Sequence, residues 1–410
     1  MTRRSLVILV LLVAMLVTAT GSFAQNEEEF VFGMVLVGPR NDHGWSEAHY
    51  TAGQYVEEMI PGSRMVAFES LNAADAPETT LEQVVDDMVN VEGAKLILTT
   101  SDDFEEDTTA VAALYPDITF VNISGDDALT GDAPPNLSNI MGAMVWGKQI
   151  AGCAAALATN TGSIGYLGPL INAETRRLAS SVYLGARYCY ENYRDMNPDD
   201  LTFTVTWIGF WFNIPGFTLD PTEQSNLFFD QGADVVVSGI DTTEAVVVAG
   251  QRAAQGEDVW AVPYDYADAC AEAPDICLGV PYFNWGPAYV NLVQAVKDGS
   301  WEQSWSWNAP YWPDLTDTSR TAVGWVNGDA LTSEQAVQLD EFVAMLAESA
   351  TGDITADNID DEGLSMGLWK GPLNLQDGTE LAADGVVVPP RDVWYLPQLL
   401  EGMTGDSSAQ

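Results

Sequence analysis

"TLEQVVDDMVNVEGAKLILTTS", from Thr80 to Ser101, carries two periodicities in succession. Leu81, Val84, Val85, Met88 and Val89 recur at i, i+3, i+4, i+7 and i+8, which is one apolar stripe on a helix. Past Gly93 the pattern gives way to the apolar run "AKLILTTS" (94–101). A strand without polar alternation is buried on both faces, the situation of a parallel strand covered by helices on either side. The stretch therefore reads as part of a doubly wound α/β sheet.

The reading extends both ways. "FVFGMVLVG" (30–38), "SRMVAFES" (63–70) and "ITFVNISG" (118–125) are further strands, with helices over 46–59 and about 104–114. The alternation then repeats. Helices over 143–158, 173–192, 221–231 and 243–254 are interleaved with "GSIGYLGPL" (162–170), "LTFTVTWIGF" (201–210), "ADVVVSGI" (233–240) and "DVWAVPYD" (258–265). Two α/β lobes joined by a hinge fit this length and pattern. "ICLGVPYFNW" (276–285) and "RTAVGWVNG" (320–328) read as returns of the chain across the hinge, and a last helix is expected over 333–348. The expected division is 25–142 plus about 282–322 for the first lobe, 143–281 plus about 323–350 for the second, and 351–410 as an ordered extension packed on a lobe.

Arg3 and Arg4, the apolar run from Leu6 to Val17 and the small-x-small site Ser22-Phe23-Ala24 form the pattern of a cleaved secretory signal over residues 1–24. The run is short for a bilayer span. The mature chain is expected to be exported, periplasmic or extracellular, with no membrane insertion of its own.

Sixty acidic residues face fifteen Lys plus Arg, a formal net charge of −45. Such a surface repels nucleic acid and anionic membranes. Hydrophobic residues at 47% and aromatics at 10% supply enough material for packed cores, so the charge does not imply disorder. An acid-coated surface suits salty surroundings, where screening relieves self-repulsion. Of the four cysteines, Cys270 and Cys277 close the short loop "CAEAPDIC" and are the expected disulfide; Cys153 and Cys189 lie in helical stretches and read as buried thiols. Their spacing matches no zinc motif, and no metal or cofactor is expected.

Ligands of parallel sheets bind beyond the carboxyl ends of the strands. Those ends carry Asn41, Asp42 and Trp45, then Thr100, Ser101 and Asp102, then Ser124 and Gly125 in the first lobe. In the second they carry Trp211, Phe212, Asp241, Tyr264 and Asp265. Aromatic faces, carboxylates and hydroxyls with almost no cations suit a flat, neutral, hydroxyl-bearing ligand. Each residue also has a plainer reading. Asp42 and Asp241 could cap the helices that follow them. Trp45 could be a packing staple, and one of Trp211 and Phe212 should be core. His43 and His49 read as structural. Trp301, Trp305, Trp307 and Trp312 read as core or interlobe packing, and Trp285 is a weaker ligand candidate.

"GPRNDHGWSEAHYTAG", "ILTTSDDFEEDTTAVAALYPDITFVNISG", "WGKQIAGCAAALATNTGSIGYLG", "VTWIGFWF", "DQGADVVVSGID" and "KGPLNLQDGTEL" occur in order, and together they resemble the basic membrane protein family of ABC-importer substrate-binding proteins. The resemblance implies the type I periplasmic-binding-protein fold. It also implies capture of a purine nucleoside, with the base between one aromatic from each lobe and acidic residues on base and ribose. Carried onto this chain, Trp45 matches the first-lobe aromatic and Asn41 and Asp42 the polar pair before it. Trp211 or Phe212 matches the second-lobe aromatic, and Asp241 and Asp265 the acidic strand ends. Two departures stand out. The first aromatic is often phenylalanine in the family, and the lipid-accepting cysteine of many members is missing. No lysine matches a ribose contact.

The expected partners are a small-molecule ligand and an importer permease, with the chain a monomer. A sugar or amino acid in the same fold is the alternative ligand. An exported hydrolase using carboxylates is less favoured, because the chain has no nucleophile elbow or metal motif.

Overall fold

Thr80 caps the stripe-bearing helix through a reciprocal capping box with Gln83, and Leu81, Val84, Val85 and Met88 turn inward from it. In the computed structural model, which describes residues 29–408, the strand that follows this helix belongs to the first of two large sheets. The expected signal sequence through Ala24 lies outside the described residues. The first part of the chain runs β1 (Phe30–Val35), α1 (Trp45–Met59), β2 (Ser63–Phe68), α2 (Leu81–Asn90), β3 (Leu96–Thr99), α3 (Glu105–Ala112), β4 (Thr119–Ile123), α4 (Asp127–Thr130) and β5 (Leu137–Gly142). All five strands are parallel, and every residue of β1 and β3 is buried.

The second part follows as α5 (Val145–Ala158), β6 (Ser163–Gly168), α6 (Ala173–Asn192), β7 (Thr202–Trp207), α7 (Pro221–Asp230), β8 (Val235–Ser238), α8 (Glu244–Ala253) and β9 (Trp260–Val262). Helix α5 is buried along its whole length. Its small residues let α6 approach closely: a Cβ on Gly152 would sit 1.9 Å from the Val182 carbonyl oxygen. Cys153 and Cys189 form a disulfide between these two helices, Cα–Cα 5.1 Å, and so are not the free thiols the sequence suggested. Facing helices bring the two residues together from 36 positions apart. Cys270 and Cys277 form the second disulfide.

The chain then crosses between the sheets. β10 (Gly279–Phe283) leads to α9 (Gly286–Asp298), which packs on α1. β11 (Trp305–Asn308) adds to the first sheet beside β5. β12 (Val323–Asn327) returns to pair antiparallel with β10, and α10 (Ser333–Ser349) lies against α5.

Residues 351–408 do not settle on one lobe. β13 (Ile354–Thr355) pairs with β11 at the edge of the first sheet. After a small ladder of β14 (Leu373–Asn374) with β15 (Glu380–Ala382) and the short helix α11 (Pro390–Trp394), β16 (Met403–Thr404) pairs with β7 at the edge of the second. The two sheets read β13-β11-β5-β4-β3-β1-β2 and β16-β7-β6-β8-β9. Trp394 is wedged edge-on against Trp305 and Trp307. Its indole N–H donates to Asp126 Oδ2 at 3.1 Å, and its carbonyl accepts from Arg177 Nη1 of α6 at 3.1 Å. The expectation of a single-lobe extension is thus corrected: the tail's short apolar segments complete an open edge on each sheet.

Candidate functional site

The carboxyl ends of both sheets face one narrow space between the lobes, with about 20 Å³ of free volume, room for about one water as the lobes stand. Trp45, Ser101, Asp102 and Ser124 line it from the first lobe. Trp45 is the first residue of α1, and its indole N–H donates to the Thr100 carbonyl at 2.7 Å. His49, Phe283 and Trp285 pack edge-on around it.

The second lobe contributes Tyr166 of β6, Glu174, Thr175 and Leu178 of α6, and Trp211, Gly239, Asp241 and Tyr264 from strand ends. The Asp241 amide donates to the Trp211 carbonyl at 3.0 Å, fixing the two lining residues to each other. The lobes touch around the cavity. A Cβ on Gly44 would fall 1.7 Å from the Asp241 carbonyl oxygen, so only glycine allows this approach. Asn172 Nδ2 donates across to Asp102 Oδ2 at 3.1 Å.

Asp102, Glu174 and Asp241 are the three lining carboxylates, and Asp265 lies buried behind them. Burial pushes Asp241 well above the ordinary carboxylate range, and the nearby Asp265 charge adds to it. Asp265 is raised well above that range too, first by burial, with the Lys148 ammonium opposing. Glu174 is pushed up to about 7 by burial, against the pull of Arg177, whose Nη2 lies 3.5 Å from its carboxylate. Burial raises Asp102 as well, again opposed by Arg177. Lys148 does not line the space. It lies buried behind the Tyr264 ring, 3.1 Å from its centroid, and donates to the Ser238 carbonyl at 2.7 Å.

Seven of the residues singled out in the sequence come together here: Trp45, Ser101, Asp102, Ser124, Trp211, Asp241 and Tyr264. The others lie elsewhere, each for a local reason. Asn41 points into solvent. Asp42 spends both carboxylate oxygens on the amides of Gly44, Ser46 and Glu47, as the start of α1 requires. The Thr100 hydroxyl donates to the Val35 carbonyl. Gly125 is hemmed in by Asn122, Asn139 and Glu105 of its own lobe. Phe212 packs edge-on against Phe210 and approaches Gly38. Asp265 is fully buried outside the lining, next to Tyr264. Of the histidines, His49 is buried, with Nδ1 2.6 Å from the Tyr289 hydroxyl, and His43 is exposed beside Glu47 and Glu272. Trp285 is packed against His49 and Phe283. Strand-end reasoning missed Tyr166, Gly239 and the α6 trio; Asn172, which caps α6 directly after a strand end, was the available signal.

A family model described as "ABC transporter substrate-binding protein PnrA-like" matches residues 30–309. The chain belongs to this family. PnrA-like proteins are the solute-capturing components of ABC transporters and work with a membrane permease outside the cytoplasm. Among the described residues, no helix is long and apolar enough to cross a membrane. A purine-binding protein of Brucella abortus is 29% identical over 287 residues, 70% of this chain and 74% of that protein. A putative ABC transporter glucose-binding protein of Haloferax volcanii is 28% identical over 290 residues, 71% of this chain and 67% of that one. Among solved structures, an ABC transporter solute-binding protein of Aeropyrum pernix superposes with a TM-score of 0.59 at 15% identity, over 78% of this chain and 86% of the other. One from Conexibacter woesei gives 0.55 at 18%, over 78% and 96%. The expected type I periplasmic-binding fold is therefore the fold of this PnrA-like chain.

Proposed function

We propose that this protein captures a purine nucleoside between its lobes and hands it to the permease of an ABC importer. One observation carries the reading: Trp45 and Trp211, one from each lobe, line the same cavity together with carboxylates and no lining cation. Indole faces stack on a base. Asp102, Glu174 and Asp241 are acceptors for ribose hydroxyls and base N–H groups, and the absence of a lining cation disfavours a phosphate. The name of the Brucella relative supports a purine. The name of the Haloferax relative supports a second reading, a hexose, for which aromatic faces and carboxylates are also suited.

Mass spectrometry of small molecules released on denaturing the purified protein, with calorimetry on adenosine, guanosine and D-glucose, decides between them. Nucleoside binding below millimolar, with the monophosphate far weaker, is the expected result. Glucose binding without nucleoside binding would replace the first reading by the second. Release of free base during incubation would instead mark a hydrolase.

A further inference from the structure

Tyr166 stands near the end of β6 with its ring fully buried. Its hydroxyl has no hydrogen-bond partner among the described residues. Nearly all buried hydroxyls in folded proteins are paired, and a tyrosine buried with its polar end unmet is an exception that calls for an occupant. The surroundings make space for that polar end. Tyr166 lines the interlobe cavity, and so does Gly239 beyond β8. A Cβ on Gly239 would come within 2.2 Å of the hydroxyl oxygen. A larger residue there would displace the hydroxyl, so the pair Tyr166–Gly239 sets where it lies. Trp211 Nε1, on the same lining, is a second buried donor without a partner among the described residues.

We propose that Tyr166 is a specificity-determining residue of the capture site, its hydroxyl donating to an acceptor atom of the solute. This rests on the reading of the cleft as a nucleoside-capture site. It adds that the solute must present a ring nitrogen or carbonyl oxygen to the second lobe while its donors face the carboxylates. A solute without that acceptor leaves a buried donor stranded and is rejected.

Isothermal titration of the full chain and of Tyr166→Phe tests this. The probes are adenosine, guanosine, inosine and D-glucose, followed by purine riboside and the 1-, 3- and 7-deaza analogues of the best-bound nucleoside. The variant should bind the best nucleoside roughly 2- to 12-fold more weakly, the range of one neutral hydrogen bond. One analogue should bind both proteins equally, and its missing atom is the hydroxyl's partner. Equal affinities of the two proteins for every probe, or the same loss for every analogue, overturn the proposal. Wild-type protein that binds glucose and no purine overturns the purine reading alone, and the hydroxyl is then scored on glucose with the same two proteins. Melting without ligand gives a separate readout. Tyr166→Phe should melt at or above wild type, because it removes an unpaired group; a drop of several degrees shows an internal partner and overturns the proposal.

Discussion

Asn172 Nδ2 donates to Asp102 Oδ2 at 3.1 Å across the cleft, while Asn172 Oδ1 accepts from the Thr175 amide and caps α6. One side chain thus starts a helix in one lobe and holds the other lobe shut. Asn172→Asp keeps the cap and places a carboxylate against Asp102. Ligand affinity should fall about 10-fold or more, since a hydrogen bond to a charged group is lost and like charges meet. The melting temperature of the ligand-free protein should move little. Calorimetry and a thermal melt read the two effects separately, and an unchanged affinity would show that this contact does not hold the closed form.

Trp211 is half-buried, while Trp45 is buried among His49, Phe283 and Trp285. The two substitutions should therefore differ. Trp211→Ala should lose about 1–3 kcal/mol of stacking, a 5- to 150-fold weaker Kd, with modest loss of stability. Trp45→Ala should lose binding and also about 3–5 kcal/mol of fold stability, as a buried indole does. Ligand-induced change in tryptophan fluorescence should shrink in Trp211→Ala. Nucleoside affinity unaltered in that variant would remove stacking from the account.

Glu174 keeps its proton in the folded protein up to about pH 7, whereas an unfolded glutamate releases it near 4.3. The folded state therefore holds more protons over that interval, and stability falls as pH rises through it, levelling off above the folded value. The buried Asp241 and Asp265 act in the same direction. The ligand-free melting temperature should be higher at pH 5 than at pH 8, and Glu174→Gln should flatten the slope by up to roughly 3 kcal/mol. A wild-type slope of the opposite sign, or one untouched in Glu174→Gln, contradicts this.

With both disulfides formed, a thiol reagent should label none of the four cysteines in the native, unreduced protein. Reduction should destabilise chiefly through Cys153–Cys189. Its loop of 36 residues corresponds to about 4 kcal/mol in the chain-entropy account, against about 2–3 kcal/mol for the shorter Cys270–Cys277 loop. Comparing the melts of Cys153→Ala/Cys189→Ala and Cys270→Ala/Cys277→Ala tests the order.

A chain of net charge −45 repels itself, and 1 M salt shortens that repulsion to about 3 Å. The melting temperature should rise with KCl while nucleoside affinity holds, since a neutral ligand displaces few ions. Indifference to KCl up to 1 M would argue that the carboxylates are already spaced widely enough.

The α/β alternation was legible because β1 and β3 are unbroken apolar runs. β5 escaped notice because Ser138 and Asn139 interrupt its apolar character; in the fold both are buried and bonded, Ser138 to the Ser304 amide and Asn139 to that of Ala128. β11 read only as an aromatic strip because its partner was the missed β5. In the site, strand ends found what projects from strands. The first turns of α6 lay outside that rule, and only the Asn172 cap close behind β6 pointed to them. The Cys153–Cys189 pair depended on how α5 meets α6, which no spacing encodes.

Trp394 gives the tail a consequence of another kind. Its indole is bonded to Asp126 on one side of the cleft and its carbonyl to Arg177 on the other, and Arg177 in turn lies beside the cavity carboxylate of Glu174. Any movement that draws Asp126 away from Arg177 must release Trp394 from one of them. Opening is then not a free swing about the crossing strands but a step coupled to local loosening near residue 394, beyond the segment shared with the family. The occupancy of the cleft would be recorded there, as slow or fast exchange of amide hydrogens in a stretch that never meets the ligand.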